Sequence, residues 1–373
     1  MKKVLFLINS LDGGGAERVL IELVNNLDSE KYEVVVQTIQ RGGKFENLLQ
    51  SGAHRKCIAG TKSAFLNKII SYCVQFIIPP QLVYRFFVKD NYDIEIAFLE
   101  GFPVKVLAKS TQQNSKRYTW VHIDLFNYYK HQKMFKSIAQ NAEAYRKFDK
   151  IFCVSSDVKT AFIKRFSFSE NVYVQYNVVN DKHINIMADE KPDDLHKKAI
   201  GEVKLVSVGR LNPQKGFDRL IRSVAELINT GYNLYLEIIG DGPLREELQN
   251  LIDELHMNSK IKLLGFRQNP YPYIKDSDLF ICSSLAEGFS TVATEAVILG
   301  VPIISTRVAG MNDLLGESEF GLIVENDESA LKNGIKTVLD ENLIEYYKEL
   351  AKARAKDFTL EKRVQEINQL FDE

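Results

Sequence analysis

The chain has 373 residues, 45% hydrophobic and 26% charged, with a formal net charge of −1. That balance belongs to an ordinary globular protein and excludes collagen-like and disordered classes, while the length suits two domains of roughly 180 residues better than one core. The charge is uneven: residues 1–180 carry 25 Lys and Arg against 16 Asp and Glu, the remainder 23 against 33, so either the basic half faces an anionic partner (membrane surface or nucleic acid) or the asymmetry is chance.

The first element is the apolar run Val4–Ile8, a buried strand, followed by a helix from about Ala16 to Leu27 and a strand over Tyr32–Ile39. Further strands are expected at Asp93–Phe98, Lys116–Val121, Lys150–Val154 and Val172–Gln175, each followed by a polar or helical stretch, which is the rhythm of a parallel sheet with helices on both faces. From Val179 to Glu202 the pattern lapses into polar sequence with Pro192, the composition of an interdomain connection. It restarts with strands at Lys204–Val208, Leu234–Ile239, Ile261–Leu263, Leu279–Cys282 and Pro302–Ser305, and with helices near Phe217–Thr230, Pro243–Leu255 and Thr291–Leu299. Leu343–Phe371 is helical in composition and is left open between packing in the second domain and crossing back to the first. The expected architecture is α/β with two doubly wound Rossmann-like domains, 1–183 and 199–355, and a last helix over about 356–373.

Cys57, Cys73, Cys153 and Cys282 form no C-x-x-C pair, so they signal neither a zinc site nor a disulfide framework. Val4–Ile8 is too short for a signal-peptide core. The apolar stretch Ile69–Val88 is broken by Gln75, Pro79, Pro80, Gln81 and Arg85 and cannot cleanly span a bilayer. A cytoplasmic protein is expected, with attachment at the inner membrane face left open.

Ligands of open parallel sheets bind beyond the carboxyl ends of the strands. In the first domain that place holds "GGGAER", Gly13 to Arg18. Arg18 stands where a dinucleotide fingerprint needs a small residue, no acidic residue ends the second strand, and no Gly-Lys-Ser/Thr follows, so neither a dehydrogenase loop nor a Walker loop is present. In the second domain "VGRLNPQKGFDRLI" sets Arg210 and Lys215 five residues apart, two cations able to close on a diphosphate. In "SSLAEGFSTVATEAVILG", Gly288 breaks the chain after Glu287, Ser290 or Thr291 can cap a helix, and the amides of Phe289, Ser290, Thr291 and Val292 form an anion site at its N-terminus. Glu295 lies about one turn inside, within reach of a ribose diol.

Together the Arg210 and Lys215 pair, the "GDGP" of Gly240–Pro243, the Glu287/Glu295 spacing and "GGGAER" resemble the retaining GT-B glycosyltransferases of family 4 over nearly the full chain. The resemblance implies a nucleotide-sugar donor, expected to be UDP-linked, with no metal or other cofactor. Arg210 and Lys215 would neutralise the diphosphate, Glu295 hold the ribose, and Glu287 with Gly288, Phe289, Ser290, Thr291 and Val292 hold the sugar. Gly14 and Gly15 would let the first domain approach the donor. His122, in "TWVHIDL", matches the histidine that relatives place near the reacting sugar; Asp124 is nearby without an assigned role. Where many relatives carry Pro-Asn-Gly, this chain reads Tyr176-Asn177-Val178, so hinge details do not transfer. Asp276-Ser277-Asp278 spells a metal-nucleotide motif of the other glycosyltransferase fold, but it abuts a strand and reads as a turn cap.

The expected reaction moves a hexose or N-acetylhexosamine, with retention, onto a glycan or lipid-linked acceptor in surface-polysaccharide assembly. No carboxylate pair suggests a covalent intermediate. Phe65–Asp90 mixes aromatic and aliphatic residues with Lys68, Arg85 and Lys89, and the stretch from Lys130 adds Lys133, Lys136, Arg146 and Lys147; this suits either an anionic lipid surface or a packed core helix. A sugar-nucleotide epimerase of the same shape and a nucleic-acid-binding protein are the alternatives, the latter without a recognisable binding motif, so no nucleic-acid partner is expected.

Overall fold

The computed structural model describes every residue except Ser51, Lys62, Lys89, residues 128–133 and Glu373. Lys89, Lys130 and Lys133 of the basic stretches therefore lie outside the described residues. The chain divides into two compact units, Met1–Val178 with Arg363–Glu373, and Val179–Lys362.

The first unit is built on a seven-stranded sheet in the order β3-β2-β1-β4-β5-β6-β7, comprising β1 (Lys2–Leu7), β2 (Tyr32–Gln40), β3 (Ala53–Ala59), β4 (Ile94–Ala97), β5 (Lys116–Val121), β6 (Lys150–Cys153) and β7 (Val172–Val174). Every pairing is parallel. Central strands of such sheets are buried on both faces and read as continuous apolar runs, which is why Val4 to Ile8 are all fully buried. A row of aromatic rings crosses the sheet, with Phe6 against Phe98 at 5.8 Å, Phe98 against Trp120 at 5.4 Å and Trp120 against Phe152 at 4.5 Å between centroids. The edge strand β3 was not expected from the sequence, because His54 and Arg55 are exposed and its apolar signal is weak, a usual state for edges.

The second unit carries a six-stranded parallel sheet in the order β10-β9-β8-β11-β12-β13, from β8 (Val203–Val208), β9 (Leu234–Ile239), β10 (Ile261–Gly265), β11 (Leu279–Cys282), β12 (Ile303–Thr306) and β13 (Leu322–Val324). Its core runs through Leu205, Leu220, Val224, Ile238, Ile281 and Ile335. The stretch read as a bare connection contains a helix, Asp181–Met187, capped by Asn180, whose side chain accepts the His183 amide at 3.0 Å. Seven residues with one buried apolar position were too few to register as a periodic pattern.

The C-terminal segment forms two helices, Ile344–Ala355 and Leu360–Asp372. From Arg363 onward the last helix belongs to the first unit, where the Phe371 ring lies 5.6 Å from Tyr32 and 6.2 Å from Tyr118, and the Tyr118 hydroxyl donates to the Leu370 carbonyl.

Candidate functional site

In the second unit, the loop after β8 is braced by the loop after β9. Gly209 N–H donates to the Ile239 carbonyl at 2.9 Å, Leu211 N–H to the Asp241 carbonyl at 3.0 Å, and Leu244 N–H to the Leu211 carbonyl at 3.0 Å. A Cβ on Gly240 would stand 1.9 Å from the Gly209 carbonyl oxygen, and one on Gly242 2.4 Å from that of Leu211. Two backbones touch there, so "GDGP" requires its glycines. Arg210, at the tip, is exposed and pairs with no described carboxylate.

Lys215 turns back over Gly209 and ends 2.6 Å from Glu287 Oε1, an oxygen that also accepts from the Ser284 hydroxyl at 2.6 Å. Burial acts to lower the pKa of the Lys215 ammonium, and the Glu287 carboxylate overrides it and holds the group above its ordinary value. The two residues are 72 apart in sequence, and this contact was not readable there. Gly216, at φ +60, lets the chain pass Ser283, since a Cβ would lie 2.4 Å from its carbonyl oxygen.

Sequence reasoning missed Arg219. It is buried, donates from Nε to the Ser283 carbonyl at 2.8 Å and from Nη2 to that of Ser284 at 2.7 Å, and reaches the Asn326 carbonyl from Nη1 at 3.3 Å. One guanidinium thus fixes the start of the loop that carries Glu287. The signal was an arginine at an apolar-face position of "FDRLI".

The helix Thr291–Ile298 begins at Ser290, whose hydroxyl accepts from the Ala293 amide at 3.3 Å while its carbonyl accepts from Thr294. The amides of Thr291 and Val292 donate to no described residue, leaving two donors at the positive end of the helix. Gly310 backs this loop at φ +80, and a Cβ there would meet the Gly288 carbonyl oxygen at 2.7 Å. Glu295 is buried one turn in, with the Tyr271 hydroxyl 3.4 Å from its Oε1. The Asp276 and Asp278 pair is occupied by lysines: Asp276 holds Lys204 Nζ at 2.9 Å, and Asp278 holds Lys198 Nζ at 2.7 Å and the Lys204 amide at 2.8 Å. No cluster of three His, Cys, Asp or Glu among the described residues is placed to hold a metal ion.

In the first unit, Gly14 is the N-cap of the helix Gly15–Asn26, preceded by Gly13 at φ +106. The Glu17 carboxylate folds back over Gly14, 2.1 Å from where a Cβ would sit, and accepts from the Gly14 backbone. This is the returning half of a capping box, with glycine in place of serine. Burial raises the Glu17 pKa.

His122 follows β5. Burial pushes its pKa down to about 4 against the hydrogen bond to the Phe98 carbonyl. Its Nε2 is buried without a partner, so the ring is a neutral imidazole with one lone pair free. Glu100, absent from the sequence reading, accepts the backbone amides of His122 and Ile123 on Oε1. Asp124 is consumed by its own turn, accepting from the Phe126 and Asn127 amides at 2.9 Å each.

In this unit the helix Ala64–Tyr72 runs on into a π turn at Cys73–Ile77, and after extended backbone at Ile78 and Pro79 a second helix, Pro80–Phe87, follows. This stretch buries Val74, Val83 and Tyr84 but exposes Phe65, Leu66, Ile69, Tyr72, Phe76, Ile77, Leu82 and Phe86. Lys68 and Arg85 are exposed on the same stretch. Among the described residues no helix is long and apolar enough to cross a membrane.

The family described as glycosyltransferase family 4 matches residues 13–183, and the family described as glycosyl transferases group 1 matches residues 190–357. Over 374 aligned residues the chain is 31% identical to the N-acetylgalactosamine-N,N'-diacetylbacillosaminyl-diphospho-undecaprenol 4-alpha-N-acetylgalactosaminyltransferase of Campylobacter jejuni, with 96% of each chain covered. An uncharacterized glycosyltransferase of Methanocaldococcus jannaschii is 26% identical over 72% of this chain and 75% of its own. Among solved structures, Anabaena HepE in complex with UDP superposes with a TM-score of 0.77 at 22% identity, covering 99% of both chains. Sucrose-phosphate synthase from Thermosynechococcus elongatus gives 0.77 at 16% identity, covering 100% of this chain and 98% of its own. With the family matched through both units and the fold shared end to end, the chain belongs to the family 4 glycosyltransferases and is a transferase enzyme of GT-B fold.

Proposed function

We propose that the enzyme moves a hexose or N-acetylhexosamine, with retention of configuration, from a UDP-sugar to a lipid-linked saccharide at an anionic membrane surface. The observation that carries the donor half is the Lys215 to Glu287 ion pair at 2.6 Å beside a helix end whose Thr291 and Val292 amides are unengaged. This is a cationic and amide-rich place for a diphosphate, with a carboxylate for sugar hydroxyls. Arg210 supplies a second, unpaired cation. The UDP held by HepE fits this reading through the shared fold, and the undecaprenyl-diphosphate acceptor in the Campylobacter enzyme's name supports the lipid-linked half.

In the proposed step the acceptor oxygen bonds to the anomeric carbon as that carbon's bond to the diphosphate oxygen breaks on the same face. The acceptor proton passes to the leaving diphosphate, whose charge Arg210, Lys215 and the helix amides offset without a metal. Glu295 is assigned to the ribose and His122 to a sugar or acceptor hydroxyl. The exposed apolar face from Phe65 to Phe86, with Lys68 and Arg85, is assigned to the lipid surface.

The test is a panel of nucleotide sugars with and without a polyprenyl-diphosphate saccharide. Transfer from at least one donor, lost in Glu295→Ala, is expected. Failure of every donor to bind at millimolar concentration would refute the donor assignment, and product formed from donor alone would indicate an epimerase.

A further inference from the structure

We propose that Glu100 is a positioning residue whose buried carboxylate fixes the loop carrying His122 and so aims the free Nε2 of that ring at the reacting groups. The proposal rests on the reading of His122 given above. Glu100 follows β4 and His122 follows β5, adjacent strands registered by Ala97 opposite Thr119. Gly101, at φ +81, turns the chain immediately after Glu100. The carboxylate crosses to the neighbouring loop, where one oxygen accepts the amides of both His122 and Ile123. Two consecutive amides on one oxygen fix the backbone from which the imidazole projects, while the Phe98 carbonyl holds the ring itself.

The charge on Glu100 is the unusual element. The residue is 6% exposed, and no described Lys or Arg pairs with it. A buried carboxylate without a cation is costly, and an uncharged amide oxygen could accept the same two bonds. Its titratable neighbours among the described residues include His122, whose amide it accepts, and the Cys153 thiol ending β6, on which Lys159 also acts from the helix Ser156–Phe166; Asp124, two residues past His122, is engaged by its own turn. Burial raises the Cys153 thiol and the Glu100 charge raises it further, so neither it nor the neutral ring supplies a counter-charge. Desolvation lifts Glu100 to about 7. The acceptor that holds the His122 loop therefore weakens as pH falls through neutrality, because a protonated carboxyl accepts less strongly than a carboxylate.

The test uses the full chain in three forms, wild type, Glu100→Ala and Glu100→Gln, with the donor and acceptor that the panel identifies and with UDP as the binding probe. Glu100→Ala is expected to lower kcat by about tenfold or more with donor KM and UDP affinity within about twofold of wild type, and Glu100→Gln to restore most of the rate. Wild type should lose activity from about pH 8 to about pH 6, and Glu100→Gln should not. Equal kcat in wild type and Glu100→Ala, or the same acid limb in Glu100→Gln, would overturn the proposal. A readout without turnover covers a variant that folds poorly: histidine-labelled wild type, with His122 assigned through His122→Ala, should show Nε2 unprotonated down to about pH 5 and a single shift step near pH 7. Ring protonation near the ordinary histidine value would overturn the inference about Glu100. Normal transfer by His122→Ala would instead refute the reading of His122 on which it rests.

Discussion

Replacing Gly240 with alanine tests whether the contact between the two loops builds the donor site. The methyl would stand 1.9 Å from the Gly209 carbonyl oxygen, with the backbone at φ +143. Real Cβ contacts do not fall below 3.0 Å, so one loop must retreat by more than about 1 Å. A positive φ on an L-residue costs about 1–2 kcal/mol, and overpacking adds about 1–3 kcal/mol. At about 2–4 °C per kcal/mol, the second unit should melt roughly 10 °C lower. Because Arg210 adjoins Gly209, UDP affinity should fall by about tenfold or more, equivalent to about 1.4 kcal/mol. The control is Gly231→Ala, at φ +105 with nothing within 4 Å, which carries the φ cost alone. Differential scanning calorimetry and titration calorimetry with UDP measure both effects. A Gly240→Ala protein that melts and binds UDP like Gly231→Ala would refute the reasoning.

Ser290→Ala removes the cap of the helix Thr291–Ile298 and should cost about 1 kcal/mol in denaturant unfolding, with weaker UDP binding by calorimetry. Lys215→Met and Glu287→Gln each break a largely buried pair and should lose most transfer activity; a double-mutant cycle on stability should show about 1–3 kcal/mol of coupling, and strict additivity would deny the pair. The folded pKa of His122 is depressed from 6.5 to about 4, so its contribution is present above about pH 6.5 and is lost as pH falls towards 4. The loss is at most about 3 kcal/mol, and His122→Gln should flatten that part of the stability curve measured by urea unfolding. Phe76→Ser with Ile77→Ser should reduce sedimentation with anionic vesicles by about tenfold without moving Tm, and Lys68→Glu should weaken it in a salt-dependent way; binding that ignores all three changes would refute the surface.

The doubly wound architecture was legible because buried parallel strands such as Val4–Ile8 and Leu279–Cys282 write themselves as apolar runs. The exposed edge strand Ala53–Ala59, with its charged outward positions, and the short strand Leu322–Val324 left no comparable trace. The residues of the proposed donor site could be singled out by their spacing, but not their contacts: the meeting of Lys215 with Glu287 depends on β8 lying beside β11, a fact of topology. Glu100 and Arg219 were invisible for a related reason. Each acts on backbone groups of a distant loop, and backbone acceptors and donors carry no side-chain signature. The stretch Phe65–Val88 was ambiguous between core and surface because its composition suits both, and only its solvent exposure separates the two.

The return of the last helix to the first unit has a consequence for how the protein is made. Translation delivers β1 to β7 first, yet the aromatic site formed by Phe6, Tyr32 and Tyr118 receives Phe371 only after some two hundred further residues have been added. The second unit is one unbroken stretch, Val179–Lys362, and can close before its neighbour does. On the ribosome, the order of completion is thus the reverse of the order of synthesis, and the N-terminal half waits with an open aromatic face that a chaperone can hold.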